Sequence, residues 1–250
     1  VHAEKLNNQP LNDDEMQVFV RLGSDFTNNY YEYIVPLKLT PGGNYSNESE
    51  GDRAKVWLDA NSIDIDFGQL TAQKLKRGVG NTGPSALETL ENGHMIRVVG
   101  NPNIATLTNI MVGVKNPVSL ADPSEKCVEV WINELRLTDF DQKGGWAANS
   151  RVTAKLADFG QLALSGAVST PFYGSIEKKP SERSRELTEQ YDASTTLQMG
   201  KFLPKEWKIN IPMYLNYAEQ FIIPQYDPSN PDVLMSDVNE NNNFNPDQID

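Results

Sequence analysis

Hydrophobic and polar residues alternate with a period of two in several segments of the first half of the chain. Successive side chains of a β-strand point to opposite sides, so this alternation predicts strands with one buried and one solvated face. The predicted strands are Met16–Gly23, Tyr30–Leu39, His94–Pro102, Asn109–Pro117 and Cys127–Leu137. The opening residues of the chain, "VHAE", read as part of a further strand.

The first two predicted strands each carry a continuous apolar face. These faces consist of Val18, Val20 and Leu22 on one strand and Tyr31, Tyr33, Val35, Leu37 and Leu39 on the other. One helix is predicted at Phe67–Arg77, and segments 39–52 and 76–85 are rich in loop-forming residues. Short strands separated by turn signals predict an all-β fold, with an antiparallel, jelly-roll-like β-sandwich over residues 1–138.

The second half of the chain contains four more alternating segments, which are Arg151–Asp158, Gln161–Thr170, Tyr191–Gly200 and Lys208–Ala218. Each has about the length that a tilted strand needs to cross a bilayer. One face of each is apolar and the other carries small or polar residues. Aromatic residues are predicted near the strand ends, as in the girdles of outer-membrane barrels: Trp146, Phe159, Phe172, Tyr173, Tyr191, Phe202, Trp207, Tyr217 and Phe221.

The connections between these segments alternate between short and long, which is the rhythm of an outer-membrane barrel. Residues 139–150 are interpreted as a connector whose two glycines provide freedom, and residues 151–250 as barrel-wall strands with long loops. A second soluble sandwich shows the same alternation, so the pattern alone leaves both interpretations open. Pro212, inside the fourth segment, fits neither, because proline cannot donate a ladder hydrogen bond.

Four strands cannot close a barrel, and open edges in a membrane leave backbone groups unpaired. Further strands would have to come from elsewhere in a longer protein. The two ends of the sequence also read as cuts, and we interpret the chain as a piece of such a protein.

Composition excludes several classes of function. The chain has 250 residues and a net charge of -12, which argues against binding to nucleic acid or to an anionic lipid surface. Cys127 is the single cysteine, so an internal disulfide cannot form. The sequence contains no run of about 18 apolar residues, so it does not predict a transmembrane helix.

Candidate catalytic chemistry is sparse. Asp64 and Asp66, close to Asp59, are predicted on one strand face, as an acid–base pair or a calcium site would require. A solvated edge strand, protected from aggregation by its charges, is the far more common explanation of such a pattern. His2 and His94 are the two histidines, and His94 is expected to be a surface or hydrogen-bonded histidine rather than a ligand. We therefore predict no catalytic, cofactor-binding or metal-binding residues, no cofactor and no enzymatic activity.

A soluble cell-surface module that binds glycan or protein is the alternative function. Exposed aromatic side chains can stack on sugars, although packing in a core explains most such residues. The candidates are Tyr30, Tyr31, Tyr45 and Trp57.

Several longer stretches resemble one family of bacterial proteins. They include "FVRLGSDFTNNYYEYIVPLKLTP", "VEVWINELRLTDFDQKGGWAANSRV" and "GKFLPKEWKINIPMYLNY". The chain, from Val1 to about Tyr226, resembles the SprA/Sov family of Bacteroidetes. These are very large outer-membrane proteins linked to gliding motility and type IX secretion.

The resemblance implies a non-catalytic role in protein transport. The family forms an outer-membrane, protein-conducting translocon, whose partners are secreted cargo, a smaller barrel of the PorV type and a plug protein. The fragment would then be one inserted sandwich domain followed by four wall strands that contact outer-membrane lipid. If the tight turn at Asp158–Gly160 is periplasmic, the sandwich domain is expected on the extracellular side.

Overall fold

The computed structural model describes residues 1–6, 10–78, 81–117, 124–139, 144–179 and 182–242. The chain divides into two compact units. The first comprises Val1–Thr138, Asn230–Val233 and the residues from Asp237, and the second comprises Asp139–Ser229 and Leu234–Ser236. The chain therefore leaves the first unit at Thr138 and returns to it at Asn230.

The first part of the chain contains the predicted strands and helix, together with elements that the alternation did not predict. They are β1 (His2–Lys5), β2 (Gln17–Gly23), β3 (Tyr30–Pro36), α1 (Glu50–Val56), α2 (Phe67–Arg77), β4 (Glu88–Thr89), β5 (Met95–Val99), β6 (Asn109–Lys115) and β7 (Val128–Trp131). Short 3-10 helices lie at Asp59–Asn61 and Ile104–Thr106. The chain continues with β8 (Ala147–Leu156), β9 (Gly160–Ser169), β10 (Glu186–Gln198), β11 (Pro212–Pro224), β12 (Tyr226–Asp227), β13 (Asn230–Leu234) and α3 (Met235–Asn242).

A five-stranded antiparallel sheet forms the centre of the first unit, with strand order β4-β5-β3-β2-β6. Its core face carries the predicted apolar residues in register, with Val20 opposite Tyr33 and Tyr33 opposite Ile96. These side chains pack with Leu70 of α2 in one buried cluster. The predicted apolar faces of β2 and β3 are therefore confirmed, while β3 ends at Pro36 instead of Leu39 and is buried on both of its faces.

A second sheet of two described strands, β1 and β7, pairs antiparallel. Ala3 of β1 joins Val18, Leu11 and Leu37 in a second buried cluster, and Val128 and Val130 of β7 pack against it. The mainly β, antiparallel, sandwich-like fold is thus confirmed. Residues of the smaller sheet and of α2 both pack against the larger sheet.

The two helices differ in how well the sequence predicted them. Helix α2 has the predicted bounds. Asp66, the residue before it, caps the helix by accepting a hydrogen bond from Gly68 N at 2.8 Å. Helix α1 lies partly in a segment that we predicted as a loop. Ser49 caps it by accepting from Asp52 N at 3.2 Å, which offsets the poor helix formers around it. The sequence signal for this helix is Ser49 followed by acidic residues in the first turn and basic residues in the last turn.

The predicted strand that begins at His94 ends earlier than expected. Gly100 has a φ of 68°, and a Cβ there would lie 1.7 Å from Asn28 O, so the chain turns sharply behind β5. The last strand of the sandwich is also shorter than predicted, since β7 ends at Trp131 and not at Leu137.

The second unit contains one open antiparallel sheet with strand order β11-β10-β9-β8. Its strands are displaced from the predicted positions: β8 starts inside the predicted connector, β10 starts before Tyr191, and β11 starts at Pro212. The last shift removes the conflict over proline, because Pro212 occupies the first position of the strand, where a missing donor is tolerated. Strands β8 and β11 form the two edges.

Residues 144–150 show that the predicted connector is partly ordered strand. A Cβ on Gly145 would lie 2.0 Å from Tyr173 N, so this glycine permits a close backbone approach rather than freedom of movement. Trp146 follows, and its N–H donates to Thr170 Oγ1 at 2.8 Å. Residues 140–143 lie outside the described residues, and they include the first three residues (141–143) of the connector stretch "DQKGGW".

Candidate functional site

The candidate functional site is the sheet β8–β11, whose register sorts its side chains onto two contrasting faces. Cross-strand partners lie on the same face of a sheet. One face carries a row of four apolar side chains and, toward Leu156, two further rows that are largely apolar. The rows are Val152–Leu164–Ala193–Tyr217, Ala154–Leu162–Thr195–Leu215 and Leu156–Gly160–Leu197–Met213. On the other side of the first row, the next row consists of Ser150, Gly166, Tyr191 and Glu219.

The opposite face carries small and polar side chains in the same register. Its rows are Arg151–Ser165–Asp192–Ala218, Thr153–Ala163–Ser194–Asn216 and Lys155–Gln161–Thr196–Tyr214. The alternation predicted an apolar and a polar face for each strand separately. Over the apolar and polar rows given above, the register aligns these faces into one apolar and one polar surface of the sheet.

The apolar face is not covered by other described residues. Val152, Leu164 and Leu215 are 58%, 44% and 53% exposed, whereas Val20 in the first unit is 1% exposed. Burial of apolar surface stabilises a protein by about 25 cal/mol for each Å² removed from water, and exposed apolar side chains do not contribute this stabilisation. An apolar sheet face of this extent indicates an environment other than water, or a partner.

The apolar rows cover part of the height of a bilayer. From Leu156 to Val152, strand β8 rises roughly 14 Å at about 3.4 Å per residue, and a tilt of about 40° reduces the height to roughly 10 Å. Outer-membrane barrels carry an apolar band about 25 Å tall; the next two rows here contain Tyr191, Val168 and Phe221 but also Glu219 and Glu189. Strands β10 and β11, with 13 residues each, are longer than the predicted segments and longer than a crossing requires.

One end of the sheet, the turn end, is marked by aromatic residues. Phe159 lies in the tight turn between β8 and β9, where Ala157 has a φ of 46° and Phe159 N donates to Leu156 O at 2.9 Å. The Phe159 ring meets Phe202 edge to face at 4.8 Å between centroids. Phe202 and the exposed Trp207 belong to the connection between β10 and β11.

The other end, the loop end, combines aromatic residues with carboxylates. Trp146 and Tyr173 are exposed there. On the apolar face nearby, the Tyr217 hydroxyl donates to Glu219 Oε2 at 2.6 Å and the Tyr191 hydroxyl to Glu189 Oε2 at 3.3 Å. Tyr191 and Tyr217 lie inside β10 and β11, so their predicted position at strand ends was wrong.

The predicted rhythm of short and long connections is only partly present. The turn 157–159 is short, but residues 199–211 between β10 and β11 form a long connection with 3-10 helices at Met199–Phe202 and Lys205–Trp207. Lys208, with a φ of 50°, ends the second of them. The connection is longer than predicted because "KINI", residues 208–211, alternates like a strand but is not part of one.

The predicted carboxylate pair of the first unit does not form on a strand. Asp66 caps α2, Asp59 begins a 3-10 helix and Asp64 lies in the irregular segment between these elements. The alternation of "IDIDF" was therefore misread as a strand. Among the residues that the structure describes, no three His, Cys, Asp or Glu side chains are grouped to hold a metal ion.

His94 is a buried histidine with both ring nitrogens in hydrogen bonds. Its Nδ1 pairs with the Tyr33 hydroxyl at 2.7 Å and its Nε2 with Ala60 O at 3.0 Å. Burial raises the pKa of the Tyr33 hydroxyl. His2 is also buried, and its Nδ1 lies 2.8 Å from Thr40 Oγ1. The prediction of a hydrogen-bonded histidine is confirmed for His94.

The aromatic residues proposed for sugar stacking are largely buried. Tyr30 and Tyr31 are in the sheet interior, and Tyr45 and Trp57 are half-buried. The Tyr45 hydroxyl donates to Pro41 O, and the Trp57 ring packs edge to face on His2 at 6.2 Å. None of the four presents an open stacking face of the kind that glycan binding uses.

Fold and sheet together define a class of protein: a mainly β chain in which a sandwich-like unit is joined to an open sheet with one apolar face. Among the described helices, none is long and apolar enough to cross a membrane. The chain belongs to the SprA_N family of motility related/secretion proteins, whose family model matches residues 1–238. A search among curated proteins found no match.

Family membership confirms the resemblance drawn from the sequence. It makes the chain part of a motility- or secretion-related protein, a role that belongs to the cell envelope.

Proposed function

We propose that the chain is a non-catalytic part of an outer-membrane translocon for protein secretion, of the type IX class that is also linked to gliding motility. In this proposal β8–β11 are wall strands of a large barrel. Their apolar face contacts lipid or a neighbouring barrel, and their polar face lines a water-filled channel. The observation that carries the proposal is the separation of apolar from polar side chains over the rows between Leu156 and Arg151, on a sheet whose apolar side chains are exposed.

The open edges of the sheet support the same function. Strands β8 and β11 each pair on one side only among the described residues. Unpaired backbone groups are costly in a bilayer, so we propose that further strands of a longer parent protein continue the sheet at both edges. The aromatic residues at the two ends then mark the two membrane interfaces.

We also propose the partners of this function. Secreted cargo proteins would pass along the polar face, and a PorV-type barrel and a plug protein would contact the wall. With the turn end in the periplasm, the chain enters β8 from the extracellular side. These partners follow from the proposed translocon role, and membership in a family of motility related/secretion proteins supports a role in secretion.

Cysteine labelling tests the proposal on two neighbouring residues of β10. The parent protein, carrying Cys127→Ser to remove the exposed native thiol, receives either Ser194→Cys on the polar face or Ala193→Cys on the apolar face. Intact cells are treated with a small, charged maleimide. We expect labelling of Ser194→Cys through the water-filled channel and little labelling of Ala193→Cys against lipid.

Equal labelling of both cysteines in a protein released without detergent would contradict the proposal. It would support the soluble cell-surface module instead. Deletion of the parent gene gives a second readout, since loss of a whole class of secreted proteins, with their accumulation in the periplasm, is expected for a translocon.

A further inference from the structure

A buried ion pair in the first unit is separate from the sheet discussed above. Lys74 Nζ lies 2.9 Å from Asp232 Oδ1, and the two side chains are 6% and 2% exposed. Charges this deeply buried are tolerated only when they are paired and hydrogen-bonded. The second carboxylate oxygen, Oδ2, accepts from the Tyr31 hydroxyl at 2.7 Å and from Ile104 N at 3.0 Å.

The groups that hold this carboxylate are fixed by the sandwich itself. Tyr31 lies in β3 within the main core, and Lys74 lies in the last turns of α2. The Lys74 ammonium also donates to Pro102 O at 2.9 Å, which positions it independently of Asp232. Burial, and then the Asp232 carboxylate, raise the pKa of the Tyr31 hydroxyl, so that it remains a donor.

The carboxylate comes from a distant part of the chain. Asp232 is 158 residues from Lys74 and 201 from Tyr31. It belongs to strand β13, which pairs with β12. Residues Asn230–Val233 of this strand are part of the first unit, and Leu234–Ser236 is again part of the second. Asn230 and Val233 are buried beside it, whereas Pro231 is exposed.

We propose that Lys74, the Tyr31 hydroxyl and the Ile104 N–H form a carboxylate-binding pocket for an extended, Asp-bearing peptide segment. The chain fills this pocket with its own Asn230–Val233 segment, which we call the latch. The pocket is built from residues that the core already holds, while the latch contributes only a few residues. The latch therefore opens without unfolding the sandwich, and the opened pocket accepts an acidic extended peptide.

Native-state hydrogen exchange of the unmodified chain at increasing, sub-denaturing urea tests the opening. We expect the amides of residues 230–234 to exchange at least about 100-fold faster than those of β3, through a local opening. Exchange of both segments only through global unfolding would overturn the proposal, because the latch would then be an integral part of the core.

Peptide binding tests the pocket. A fluorescent peptide with the sequence of residues 226–238 is titrated into the Asp232→Asn chain, and a second peptide carries Asn in place of the aspartate. We expect the Asp peptide to bind at least about tenfold more tightly, since a charged hydrogen-bonded group is being recognised. Equal affinity, or no binding of either peptide, would overturn the proposal.

Two further variants locate the effect on helix α2. Adding Lys74→Met to Asp232→Asn should abolish the preference for the Asp peptide. Adding Lys76→Met, which removes an exposed lysine paired with Glu88, should leave the preference intact. If Asp232→Asn does not fold, the exchange experiment on the unmodified chain decides the proposal.

Discussion

The two sheets of this chain are built alike and used differently. In the five-stranded sheet, Val20 and Tyr33 lie on a face that α2 and neighbouring segments cover. In the four-stranded sheet, Val152 and Leu164 occupy the same kind of cross-strand position, yet no described element covers them. Alternation therefore shows that a strand has two faces, while the surroundings of the apolar face decide whether a sheet suits water or a membrane.

Truncation of one leucine in each of the two units should give the largest contrast. Leu70→Ala removes a buried side chain of the first unit, and we expect a loss of about 2–5 kcal/mol in the free energy of unfolding. Leu215→Ala removes an exposed side chain and should change it by less than about 0.5 kcal/mol in water. Urea unfolding followed by circular dichroism measures both. Equal losses would mean that the apolar face is buried after all.

A charge on either face of β9 should separate the faces in a bilayer. Leu164→Arg places a charge on the apolar face, and Ser165→Arg places it on the polar face of the adjacent position. We expect Leu164→Arg to destabilise the membrane-folded parent protein by about 2–4 kcal/mol more than Ser165→Arg. Urea-dependent folding into phospholipid vesicles measures the difference, and equal tolerance would argue against a lipid-facing sheet.

The carboxylates near α2 should differ because one of them caps a helix. Asp66→Ala removes the side chain that accepts from Gly68 N and should cost about 0.5–2 kcal/mol of stability. Asp64→Ala, at an exposed position without a capping role, serves as the control and should be close to neutral. Thermal unfolding measures both variants. A larger effect for Asp64→Ala would reopen a specific role for that residue.

The smallest effect concerns a surface turn of the first unit. Asp25 accepts from the backbone N–H of Asn28, from the side-chain amide of Asn29 and from the backbone N–H of Thr27, and these donors lower its pKa to about 2. Because the folded pKa lies below the ordinary value of about 3.9, the carboxylate contributes stability above that value and loses it as pH falls toward 2. Amide exchange at residues 27–29 should rise over this range. Asp25→Asn should remove the pH dependence.

Much of the fold could be predicted from local pattern. The apolar residues of β2 and β3 point into the core as their alternation required. Helix α2 has its predicted bounds, and the structure shows Asp66 as its N-terminal cap and Gly78 directly after its last residue. Family membership was also readable, because long stretches of sequence carry it.

Errors arose where the backbone, and not the pattern, chose the conformation. "IDIDF" and "KINI" alternate like strands, but neither belongs to a strand of a described sheet. Helix α1 was hidden by the glycine and asparagine residues that precede it, although Ser49 supplied a cap. Strand bounds shifted because hydrogen-bond partners, which lie far away in sequence, determine where pairing starts and stops.

The sequence by itself determined which strands have two unlike faces, which residues form the sandwich core and which family the chain belongs to, since these depend on side-chain periodicity and local propensity. Only the tertiary structure decided how the four faces align into one apolar surface, because cross-strand register depends on backbone pairing over long separations. It alone brought Asp232 to Lys74 and Tyr31. No local pattern encodes such a contact, because a buried charge is stabilised by partners that only the complete fold assembles.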